Sequence, residues 1–213
     1  MDLNVRPEQM MSYAPYFDRL AVVFRKMDAC YDTAATEYGF ACSGCQDSCC
    51  QTRFYHHTLI EYFYVKSGLD CLSPPDRQII QSRALEANAY WRNHREPSLA
   101  AMCPLNEAGR CRLYLYRPMI CRLHGIPHEL NHPVKGRALG PGCHEFEKQC
   151  SGKAYFPFDR TPLYRELAEL EKTFRQKTGI VTKMKMTVAE MLMDCFKLPA
   201  TTKKMMLPPI DIL

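Results

Sequence analysis

Residues 12–38, SYAPYFDRLAVVFRKMDACYDTAATEY, decide the fold class. Phe17, Leu20, Ala21, Phe24, Met27, Tyr31, Ala34 and Tyr38 recur at three- and four-residue steps, which stacks them on one face of a helix. Asp18, Arg25 and Asp32 mark the solvent side. Pro15 suits a first turn, where its missing amide costs nothing, and Gly39 supplies a stop. A long helix with one apolar stripe has to be covered by other elements, so a helical assembly is expected.

Further helices are legible outward from this one. Thr58 and Glu61 have capping-box spacing at the head of a helix running towards Gly68. Ser73 and Pro74 open another, with Ile80, Ala84, Ala87 and Trp91 inward and Pro97 as its limit. Residues 103–158 contain Pro104, Pro118, Pro127, Pro133, Pro141 and Pro157, so that region should be irregular. Thr161 and Pro162 begin a helix that buries Leu163, Leu167, Leu170 and Phe174 and ends before Gly179; Thr187 and Glu190 begin a last short one. The expected fold is mainly α, with helices framing an irregular cysteine-rich metal-binding core. Residues 1–158 would form that domain, including its N-terminal helix, and residues 159–213 a helical C-terminal appendage packed on it.

At 213 residues and 46% hydrophobic composition, the chain can bury a core without covalent staples. Its twelve cysteines therefore need another reason. Met1 to Met11 is polar and has no secretory pattern, which predicts a cytoplasmic location, where clustered thiols hold metal or do redox work rather than form permanent disulfides. Charged and polar residues interrupt every apolar run, so no membrane span is expected. The net charge of +5 is spread along the chain, and nucleic-acid binding is not expected.

The cysteines fall into groups. Cys42, Cys45, Cys49 and Cys50 lie in CSGCQDSCC, where a C-x-x-C turn lets two thiolates converge and Gly44 relaxes the backbone. Cys103, Cys111, Cys121 and Cys143 are widely spaced and could complete the same centre or supply a second. Cys30 and Cys195 sit in predicted helices and read as core-filling residues; Cys71 and Cys150 also fall outside both groups.

The ordered series C-x-x-C-x-x-x-C-C, CPL, GRC, LYRP-x-x-CR and a later cysteine, over roughly residues 40–146, resembles the YkgJ-type cysteine-cluster family, a zinc- or iron-chelating domain. The resemblance implies a metal-ligating set drawn from Cys42, Cys45, Cys49, Cys50, Cys103, Cys111, Cys121 and Cys143. Structural zinc sites commonly use two compact pairs, whereas one compact group here meets dispersed single cysteines. That favours an iron–sulfur cluster, of the four-iron, four-sulfur kind, with zinc as the alternative.

Arg117 and Arg122 bracket Cys121 in YRPMICR, where they could bind the cofactor by offsetting the charge of a thiolate-bound centre. Tyr114 and Tyr116 could shield it from water. His124, His128 and His132 are four apart, but Pro127 and Pro133 break the helix that would align them; His144, beside Cys143, is the better supporting candidate, and His56 and His57 could add outer hydrogen bonds. No catalytic triad, phosphate loop or paired-carboxylate site is legible, so no enzymatic activity is assigned. The expected function is electron transfer, or an unidentified redox or modification reaction, with a protein or redox partner. A zinc-binding structural or interaction module and a metal carrier are the alternatives.

Overall fold

A computed structural model describes residues 6–42, 49–94 and 101–199. Among them the chain is mainly helical, in the order α1 (Pro7–Met11), α2 (Ala14–Tyr38), α3 (Leu59–Asp70), α4 (Pro74–Asn93), β1 (Asn106–Glu107), β2 (Arg110–Cys111), α5 (Met119–Leu123), β3 (His128–His132), β4 (Gly136–Gly140), α6 (His144–Cys150), α7 (Thr161–Thr178) and α8 (Val188–Cys195). None of the described helices is long and apolar enough to cross a membrane.

The predicted stripe of α2 is its buried face: Phe17, Leu20, Ala21, Phe24, Met27, Ala34 and Tyr38 lie inside, Tyr31 is half-buried, and Gly39 closes the helix with φ +60°. Cys30 is exposed, because it faces away from this stripe; the expectation that it fills the core is corrected.

α3 is buried on every side from Leu59 to Leu69, as expected of a central helix without a wet face. Lys66 within it is neutralised by Asp70 one turn on and also donates to the Pro199 carbonyl. Thr58 does not cap α3 as its spacing suggested. Its hydroxyl donates to Glu61, and the first-turn amides of Leu59 and Ile60 are instead satisfied by the Glu171 carboxylate of α7, at 2.8 and 3.0 Å. Gly68 is needed for close packing, since any Cβ there would overlap the Tyr116 ring.

α4 has the predicted Ser73 cap and buries Ile80, Ala84 and Ala87, with Trp91 half-buried. It ends at Asn93, and Pro97 lies outside the described residues. α7 packs on α2 and α3, and α8 on α4. The capping box at Thr187 and Glu190 forms as read. Apolar residues of α7 and α8 share one core cluster with those of α2, α3 and α4.

Residues 103–158 are more ordered than their prolines suggested. β3 and β4 form an antiparallel hairpin, from His128 opposite Gly140 to His132 opposite Gly136. Its prolines lie just before β3 and in the turn, so none removes a ladder donor. The hairpin is fixed by Phe158 and Arg160: the Glu129 amide donates to the Phe158 carbonyl at 2.9 Å, and the Arg160 amide to the Glu129 carbonyl at 3.0 Å. His128 and His132 therefore lie on a strand, and the helical-face alignment fails as Pro127 and Pro133 implied.

Candidate metal centre

The dispersed cysteines are brought back to the compact group by short, separately anchored segments. The Cys103 amide donates to the Cys50 carbonyl at 2.7 Å, joining the two groups through the backbone. From there Asn106 pairs with Cys111 in the β1–β2 hairpin, and the Arg112 amide donates to the Leu105 carbonyl at 2.8 Å, so Cys111 returns beside Cys103.

Cys121 is placed by α5, whose first residue is held from the core: the Met119 amide donates to the buried Glu61 carboxylate at 2.6 Å. Arg122 locks the preceding loop, with Nε donating to the Arg117 carbonyl at 2.8 Å and Nη2 to the Leu115 carbonyl at 2.5 Å. Its Nη1 pairs with Asp28 of α2 at 2.6 Å, and the guanidinium lies over the Phe24 ring. Arg117 bonds the Tyr114 carbonyl and stacks on the Tyr114 ring at 3.6 Å.

Cys143 is set against Gly125. Its amide donates to the Gly125 carbonyl at 3.0 Å, and its sulfur caps α6 by accepting from the Phe146 amide at 3.4 Å. Gly125 has φ +112°, and a Cβ on it would stand 3.3 Å from the Tyr31 hydroxyl and 3.6 Å from the Cys143 sulfur. Only glycine suits that turn.

The thiols act on one another in two overlapping sets. Cys50 hydrogen-bonds both Cys49 and Cys103, and those bonds, followed by burial, raise both of these partners' pKa values. Burial pushes Cys121 up to about 12, reinforced by Cys111 and Cys50 and opposed by Arg117. Burial also raises Cys111, with the Leu113 amide, Arg117 and Arg122 pulling the other way. The second set is Cys42, Cys143 and Cys49 around Tyr31, whose phenol is raised by burial and then by Cys42 and Cys143. Without a cation Cys49, Cys103, Cys111 and Cys121 favour the protonated form, because each added thiolate would face its neighbours in a partly dry site. A bound cation reverses that balance.

The structure thus gathers Cys49, Cys50, Cys103, Cys111 and Cys121, with Cys42 and Cys143 beside Tyr31; Cys45 lies outside the described residues. Cys42, Cys49, Cys103, Cys111, Cys121 and Cys143 form no disulfide. Among the described residues, no three His, Cys, Asp or Glu side chains are already arranged as a coordination shell. The chain matches no family model, no curated protein and no solved structure.

Several supporting residues were not legible as such. Glu61 reads as half of a capping box and Tyr31 as part of a core stripe, yet one anchors α5 and the other borders Cys143. Tyr114 is 57% exposed and so cannot shield the site, whereas Tyr116 is half-buried against Tyr64. His56 is buried against Met186, and His144 is the exposed first residue of α6. Cys103 also lines an open cleft of about 380 Å³ with Arg83, Glu86, Tyr90, Met102 and Asn106.

Proposed function

We propose that this chain is a metal-binding protein of the YkgJ-type cysteine-cluster kind, holding a cysteine-ligated iron–sulfur centre for electron transfer or a redox or modification reaction. The observation that carries this reading is the approach of Cys50, Cys103, Cys111 and Cys121, which come from separate segments of the chain. The donor chemistry fits: an all-sulfur set bordered by Arg117 and Arg122 suits soft metal ions and clusters better than hard cations.

Cys50, Cys103, Cys111 and Cys121 would hold the centre; Cys42, Cys49 and Cys143 would border it or serve a second one. A cluster bound there supplies one-electron transfer. Arg117 and Arg122 offset part of the negative charge of the thiolates, and Arg122 also keeps the loop before Cys121 in place through the Leu115 and Arg117 carbonyls. Glu61 fixes the start of α5 and hence the position of Cys121. Buried Leu105 and Leu113 exclude water beside Cys103 and Cys111, while the cleft leaves Cys103 approachable by a partner. Anaerobic purification with elemental analysis tests the reading. Iron and sulfide in stoichiometric amount support it; zinc without sulfide replaces the cofactor and keeps the ligands; neither metal overturns it.

A further inference from the structure

Arg160, at the head of α7, is 2% exposed and has no carboxylate within ion-pairing distance among the described residues. A guanidinium removed from water is costly unless an opposite charge and hydrogen bonds replace its hydration. The other buried cations have such partners, Lys66 with Asp70 and Arg122 with Asp28. Arg160 has neutral ones. Nη2 donates to the Leu123 carbonyl and, at 3.0 Å, to the Ile126 carbonyl; the guanidinium also hydrogen-bonds the Tyr164 side chain and lies 4.9 Å from the Phe158 ring centre; and Nε has no partner among the described residues. The titratable groups facing it, Tyr31, Tyr155, Tyr164, His124 and His128, bring no negative charge when neutral.

The two carbonyls it holds bracket Gly125, the residue lying against the Tyr31 hydroxyl and the Cys143 sulfur. The Cys143 amide closes the same turn by donating to the Gly125 carbonyl. A single short turn thus has a cation behind it and a ligand candidate in front. We propose that Arg160 is the buried counter-charge of the metal centre on its Cys143 side, seated behind the Leu123–Ile126 turn. It is a positioning residue that acts through the turn and through its field. The same residue's amide donates to the Glu129 carbonyl of β3. The inference rests on the metal-centre reading above. It adds a third cation to Arg117 and Arg122, from a segment outside the cysteine motifs.

The test compares the wild type, R160Q and R160K, purified anaerobically, by bound metal per chain and by the rate of metal release to a chelator. A neutral side chain in R160Q should speed release on the order of tenfold, the scale of one unit charge acting through partly polar protein. R160K keeps the charge but not the forked hydrogen bonds, and should stay within about twofold of wild type. Equal release from wild type and R160Q overturns the inference, as does R160K behaving like R160Q, which would make Arg160 a clamp only. Should R160Q fail to fold, the Arg160 Nε–H resonance of the wild type, identified by its loss in R160K, provides the readout. Removal of metal should shift it, and an unshifted signal overturns the inference. Wild type without metal overturns the parent reading as well; metal-loaded wild type with an unaffected R160Q overturns this inference alone.

Discussion

The Glu61 carboxylate accepts the Met119 amide at 2.6 Å, linking the buried central helix to the first turn of the helix that carries Cys121. Burial raises the Glu61 carboxyl pKa, opposed by its bonds to Thr58 and Met119. E61Q retains an acceptor without the buried charge, and should change stability by no more than ~1 kcal/mol, whereas E61A leaves the Met119 amide unsatisfied and should cost about 2–3 kcal/mol. Urea denaturation of both variants checks this. Equal losses would mean that the charge, not the acceptor, matters.

Cys50 should be essential for metal and Cys195 dispensable. Cys50 bonds two other cysteines, while Cys195 is fully buried beside Tyr62, where burial raises its thiol to about 12. C50S should lose most of its metal, and C195S should keep near-wild-type metal while losing roughly 1 kcal/mol of stability from a changed core contact. Metal analysis per folded chain decides; equal metal loss from both variants would remove the distinction between the groups.

Periodicity made the helices readable because the stripes of α2, α4 and α7 each face one side of a core. It gave less for α3, where burial on all sides erases the polar face that marks orientation. The β3–β4 hairpin was hidden by prolines that turn out to flank its paired residues. Around the cysteines, the candidate residues could be picked out by type, but their anchors could not: Glu61 and Glu171 act across the fold, and no local spacing reveals which distant amide a carboxylate will meet. Arg160 was hidden for the same reason, since its lack of a carboxylate partner among the described residues is a property of packing alone.

Stability should fall on mild acidification through His56. This histidine is 3% exposed, its Nε2 has no hydrogen-bond partner among the described residues, and burial, then His57, lowers its pKa to about 4 from the ordinary 6.5. Below pH 6.5 the unfolded chain takes up a proton that the folded chain refuses, so folding loses stability as pH falls towards 4. The full loss should approach ~3 kcal/mol at the lower limit, and H56Q should lack this part of the slope. Denaturation curves at several pH values, compared as wild type minus H56Q, give the contribution directly; a flat difference would show that His56 titrates normally.

Removing the metal should loosen the cysteine-bearing segments while leaving the neighbouring hairpin intact. The Cys103 amide bond to Cys50, the Arg112 bond to Leu105 and the Cys143 bond to Gly125 hold short segments that have little regular ladder of their own. Metal ligation ties such segments together, so its loss should free them first. The β3–β4 hairpin has a five-pair register and is also fixed by the Glu129 and Arg160 amides. Hydrogen exchange of metal-loaded and metal-free protein should therefore accelerate at Cys103, Arg112 and Cys143 by roughly tenfold or more, while Glu129, Arg160 and the interior of α2 change little. Exchange that rises equally in the hairpin and α2 would show that the metal supports the whole fold. No change at Cys103 and Cys143 would instead detach both residues from the centre.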